Sequence, residues 1–202
     1  NSDGGKIVIE SGSGKAAGNI DIQSGKAEMT GGNINIFTGS SATGSSGYLT
    51  LRTGDGSGIS GDINVMSGNA ITGTVGGIKI EAGISSNGLG GNVYLHSGSS
   101  SSNAGGDLHL QSGDSKMASG GKITLQGGSS AGGWSGSLEI HSGKGTGVSN
   151  TGNVDILSSH SSFGKSGNVY ISSGISKDRA GSISMIAGMS KDGAGGSVEI
   201  VA

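Results

Sequence analysis

Cysteine and proline are both missing from this chain of 202 residues. Without cysteine there is no disulfide framework, no thiolate nucleophile and no Cys-based zinc or iron–sulfur centre. The compartment is not thereby fixed, since a disulfide-free chain can work anywhere. Aromatic residues are scarce at 3% and charged residues reach only 13%. Twelve basic residues against fourteen acidic ones leave a net charge of −2, and the densest basic stretch is Lys177-Asp178-Arg179. That argues against a nucleic-acid partner, which requires a clustered positive footprint. No apolar stretch approaches the roughly 18 residues of a membrane span. No secretory leader is readable, and the first residue is Asn rather than Met, so processing or excision is expected.

What is abundant is glycine, with 46 residues. Such richness in glycine and serine ordinarily describes a flexible linker. Here the aliphatic residues are periodic, and that changes the reading.

A motif Gly-x-Φ-x-Φ-x-(Ser/Thr/Ala)-Gly, with Φ aliphatic, recurs along the chain. Clear copies are Gly91-Asn-Val-Tyr-Leu-His-Ser-Gly98 and Gly106-Asp-Leu-His-Leu-Gln-Ser-Gly113. The first Φ runs from Ile7 through Ile20, Ile34 and onward to Val198, giving fourteen copies spaced 13 to 16 residues apart. The second runs from Ile9 to Ile200, and all 28 positions hold Ile, Val, Leu or Met. Alternation of aliphatic and polar residues predicts an extended segment with one apolar face. An opening glycine begins every copy, from Gly5 to Gly196. Its constancy predicts backbone approaching too closely for a Cβ. The closing glycine is expected to turn the chain with φ > 0, and Ser159 alone departs from that column.

About eight residues link one copy to the next, too many for a two-residue hairpin. Seven extended residues span roughly 23 Å, a length that eight returning residues can just retrace. The pattern therefore predicts an all-β, single-stack β-solenoid of about fourteen coils. Residues 1–202 would form one repeat domain, roughly 65 Å long. A third apolar residue in several links (Ile59, Leu89, Ala104, Trp134, Ala194) would close the core from the other side. The rival is an antiparallel meander whose aliphatic face needs a second copy or layer to cover it. Repeats run to both ends without a cap, so the sequence predicts a segment of a longer array or a subunit stacking end to end.

Outward positions carry any function. The column before the first Φ holds Asn19, Asn33, Asp62, Asn92, Asp107, Asn153 and Asn168, which in register predicts a structural Asn/Asp ladder. The middle outward column is mixed. Its only threonines are Thr50 and Thr124, whereas a flat ice-binding face wants a repeated Thr-x-Thr row. Glu139 and Asp155 would stack as neighbouring carboxylates, but coils this short build no cleft for glycoside hydrolysis. His96 and His109 occupy different columns, and His141 and His160 lie further along, so no metal set is expected. Tyr94 and Tyr170 are too far apart in sequence for a stacking strip.

Glycine motifs count for little against this background. Gly12-Ser13-Gly14-Lys15 is followed by Ala16 where a phosphate-binding loop needs Ser or Thr. Gly54-Asp-Gly-Ser-Gly58 lacks the nine-residue period of calcium-binding repeats. No Asn-x-Ser/Thr acceptor occurs among the twelve asparagines. No catalytic residue, cofactor or metal is expected.

Repeats such as Gly-Gly-Asn-Val-Tyr-Leu-His-Ser-Gly and Gly-Gly-Lys-Ile-Thr-Leu-Gln-Gly-Gly resemble the Gly/Ser-rich β-solenoid arrays of secreted surface proteins. Adhesin passenger regions, viral or phage fibre shafts and algal cell-surface proteins carry similar patterns. The resemblance covers the whole chain and is one of pattern. It implies an extracellular, virion-surface or cell-surface fibre. In period the chain is also distantly similar to antifreeze proteins with fifteen-residue coils, departing from them in the missing threonine row and the missing cysteine.

The expected function is thus a non-catalytic structural element of an extracellular fibre, filament or adhesin stalk. Its expected partners are copies of itself, end to end or side by side, or flanking repeats of the same chain, with contact to a surface or glycan open. Ice binding is the alternative.

Overall fold

The computed structural model describes residues 4–201. Two units are separable, Asn1–Leu95 and His96–Ala202, with the division falling inside the copy that starts at Gly91. Among the described residues neither unit contains a helix or a β-strand. No helix among them is long and apolar enough to cross a membrane. The β-solenoid, and with it the all-β class, is therefore corrected to a coil-rich chain.

The reason lies in the links. We call the stretch from a closing position, glycine in all but one copy, to the next opening glycine a junction; its ends lie six positions apart at Gly12–Gly18 and nine apart at Gly143–Gly152. In seven junctions the amide of the opening glycine donates to the carbonyl of the closing glycine at 2.8–3.2 Å. Gly121 to Gly113 and Gly196 to Gly188, both at 2.8 Å, are examples. A solenoid coil instead requires each opening glycine to lie one strand spacing, about 4.8 Å, from the previous opening glycine. Here each such copy begins where the last one ended. The junction residues spend their length on a local loop and never retrace the roughly 23 Å of the preceding segment. Among the described residues no ladder continues beyond the glycine pair, so neighbouring segments do not become strands.

In eight junctions the closing and opening positions lie eight apart (seven with glycine at both, one from Ser159 to Gly167), and these share a bend centred on the third to fifth residue after the closing position. A serine two residues after that position accepts, through Oγ, a bond from the amide three residues further on. This occurs at Ser41–Gly44, Ser85–Gly88, Ser100–Asn103, Ser115–Ala118, Ser130–Gly133, Ser161–Gly164 and Ser190–Gly193, at 2.8–3.0 Å. The eighth junction, Gly68–Gly76, has Ala70 at that place and lacks the hydroxyl. A serine hydroxyl offers the backbone a local partner of this kind at low cost, which is why serine favours turns and caps.

The crowding expected of the opening glycines is found at four of them, Gly32, Gly91, Gly121 and Gly136. A Cβ on Gly121 would stand 3.1 Å from the Cβ of Ser112, and one on Gly32 would stand 3.2 Å from that of Ser24. Gly91 meets Ala82 in the same way at 3.2 Å. At Gly47, Gly61, Gly106, Gly167, Gly181 and Gly196 a Cβ would make only ordinary contacts, and Gly76 and Gly152 are open, so the column as a whole is not explained by close approach. The closing glycines do not behave as expected. The only positive φ among the described residues is at Gly147, 67°, in the turn of the longest junction. There Ser149 Oγ donates to the Thr146 carbonyl at 2.7 Å and accepts from the Thr146 amide at 2.9 Å.

No described residue is buried. The most sheltered positions are largely the small residues closing each copy: Ser24, Thr53, Ala82, Ser112, Gly127, Ser142 and Ala187 are half-buried. The aliphatic pairs are covered less. Apart from Ile7, the first Φ ranges from 48% exposed at Val169 to 58% at Leu138. The second is more open, at 59% for Leu95 and 74% for Ile80. Ile59, Leu89 and Trp134 are fully exposed rather than closing a core, and Ala104 and Ala194 are exposed too.

Candidate functional site

The surface with repeated chemistry is the aliphatic face together with the junctions that punctuate it. Within a segment, residues two apart meet on the opposite, polar face. Asn92 Nδ2 donates to the Tyr94 hydroxyl at 2.9 Å, and Asn168 Nδ2 donates to the Tyr170 hydroxyl at 2.7 Å. Lys79 pairs with Glu81. Asp107 lies 3.9 Å from His109 and Glu139 lies 3.7 Å from His141. Side chains two apart share a face only in extended backbone. The alternation read from the sequence is thus realised locally, without the ladder that would make it a sheet.

The seven residues of the Asn/Asp column, Asn19, Asn33, Asp62, Asn92, Asp107, Asn153 and Asn168, are all exposed. The partners seen for Asn92, Asp107 and Asn168 belong to their own copies. Glu139 likewise faces His141 in its own segment, and the coil stacking that would have set Asp155 beside it is gone. His109 and His141 each sit near one carboxylate, and no group of three or more His, Asp or Glu able to hold a metal exists among the described residues. Asp55, in the glycine-rich stretch 54–58, is paired with Arg52 at 2.6 Å.

Five junctions, those opening at Gly47, Gly106, Gly121, Gly136 and Gly196, are held from two directions. The backbone bond between the glycines fixes their ends. In three junctions the small closing residue adds a second bond, with the hydroxyls of Ser11, Ser24 and Ser112 donating to the carbonyls of Gly18, Gly32 and Gly121 at 2.8–3.0 Å. The Ser-x-x-amide bond then curls the interior of the loop. Sequence reasoning passed over that serine. Its signal was present, since the same residue recurs two places after the closing position in seven junctions of equal length.

Large apolar side chains in ten of the thirteen junctions, here called tips, lie in water. Met29, Met117 and Phe163 are as fully exposed as Ile59, Leu89 and Trp134. The chain therefore presents two apolar surfaces, the half-covered aliphatic pairs and the uncovered tips. No protein-family model matches this chain, and no curated protein or solved structure matches it.

Proposed function

We propose that the chain is a non-catalytic structural repeat element of an extracellular, virion-surface or cell-surface fibre, filament or adhesin stalk. Copies of the same repeat are its partners. The observation that carries this reading is the aliphatic face, renewed in fourteen copies and left half open in each.

The total accessible surface is 20894 Å². A packed monomer of 19.4 kDa exposes about 8,500 Å² and a fully unfolded chain about 28,000 Å². Ordering each residue costs about 1–2 kcal/mol of conformational entropy. Isolated junction bonds do not offset that cost over a whole chain, because each contributes only about 1 kcal/mol net. Repeat proteins meet it through neighbour interfaces. A chain that repeats one apolar pair from end to end is suited to supply such interfaces continuously, as a fibre component must.

Negative-stain electron microscopy of the purified chain at neutral pH and moderate salt tests this reading. Uniform filaments or rods are expected. Dispersed single chains that inhibit ice recrystallisation would contradict it and favour the ice-binding alternative.

A further inference from the structure

We propose that a second copy of this chain covers the aliphatic face, with the junction-tip side chains of one copy packing onto the aliphatic pairs of the other. This rests on the structural role above and names the partner and the contact that such a role needs.

The tips do not cover their own copy. Trp134 sits in a junction held by both the glycine bond and the serine bond, Leu89 in one held by the serine bond, and these two side chains and Ile59 all stay in water although aliphatic pairs flank them in sequence. The two surfaces alternate along most of the chain, because ten of the thirteen junctions carry a large apolar side chain between one aliphatic pair and the next. A partner that satisfies both along its length must carry the same repeat, and a second copy does.

Charge permits the approach. The net charge is −2, and several charged side chains are already matched within a copy, as Arg52 with Asp55 and Lys79 with Glu81. Two copies brought together therefore meet little repulsion.

Area permits it too. The surface exceeds that of a packed monomer by roughly 12,000 Å². An obligate dimer interface typically buries about 2,000–5,000 Å², so one partner can be seated on part of this excess.

Trp134, the only tryptophan, reports on the contact directly. Sedimentation velocity and tryptophan emission are measured on the same samples over a wide concentration range. Association is expected to grow with concentration, and the emission maximum to move to shorter wavelength in step with it. Replacing Ile123→Asp together with Leu125→Asp places carboxylates on the aliphatic face and raises the concentration for half-association by at least ~10-fold. Thr124→Asp adds a carboxylate to the opposite face of the same segment and leaves that concentration within ~2-fold.

A chain that stays monomeric throughout, or that associates with unchanged Trp134 emission, would overturn the proposal. So would equal effects of the two carboxylate variants. The fibre reading fails separately. Small oligomers with shifted emission but no filaments would remove the fibre and keep this contact, whereas filaments with unshifted emission would do the reverse.

Discussion

The Ser112 hydroxyl donates a 3.0 Å hydrogen bond to the carbonyl of Gly121, while a Cβ on Gly121 would stand only 3.1 Å from the Cβ of Ser112. The same two residues thus join consecutive copies by a bond and crowd any larger side chain at the join. Together with the Gly121 amide bonded to the Gly113 carbonyl at 2.8 Å, they place the start of one copy on the end of the last.

Gly121→Ala and Gly113→Ala should accordingly differ. The first inserts a methyl 3.1–3.2 Å from Ser112 and the Gly113 nitrogen, whereas the second points into open space at a φ that is not positive. Amide hydrogen exchange at residue 121 should quicken about fivefold in Gly121→Ala, the loss of a bond worth about 1 kcal/mol. In Gly113→Ala it should stay unchanged.

The serine bond can be both removed and installed. Ser100→Ala deprives the Asn103 amide of its 2.9 Å partner and should loosen that junction by about 0.5–1 kcal/mol, a local cost like that of losing a cap. Ala70→Ser in the junction that lacks the hydroxyl should protect the Gly73 amide by a similar amount. Exchange at residues 103 and 73, read by nuclear magnetic resonance, checks both signs.

Junction length should matter little and segment length a great deal. The glycine bond joins glycines six, seven and eight positions apart alike, at Gly12–Gly18, Gly25–Gly32 and Gly39–Gly47. Two residues inserted after Ser101 should leave the concentration for half-association unchanged. One residue inserted between Tyr94 and Leu95 moves every later side chain of that segment to the other face and should raise it. Sedimentation of the two insertion variants separates these outcomes.

The polar face should be nearly silent. Tyr170→Phe removes the hydroxyl that accepts from Asn168 at 2.7 Å, yet both residues are exposed. Its effect on association should stay within about 0.5 kcal/mol, as for most surface substitutions. A larger loss would place the polar face in the interface.

What could be read from the sequence was local. The alternation of Φ and polar residues is visible in the contacts of Asn168 with Tyr170 and of Lys79 with Glu81, because extended backbone needs only its own side-chain period. The crowding of Gly32 and Gly121 was legible for a similar reason, as a glycine column marks close approach. The stacking of coils was not legible. It depended on whether an eight-residue link runs back along the segment or curls at its end, and both paths fit the same length. Ser85 and Ser130 decide for the curl, through one hydroxyl each. Expecting Leu89 and Trp134 to close a core followed from the wrong path, and so did the left-handed closing glycine, which a curled loop does not need.

The most direct test of this end-to-start topology is the through-hydrogen-bond scalar coupling from the amide of Gly121, measured on isotopically labelled protein. Coupling to the carbonyl of Gly113 is expected. Coupling instead to a backbone carbonyl at the opening of the preceding copy, such as Gly106 or Asp107, would contradict it and restore stacked coils.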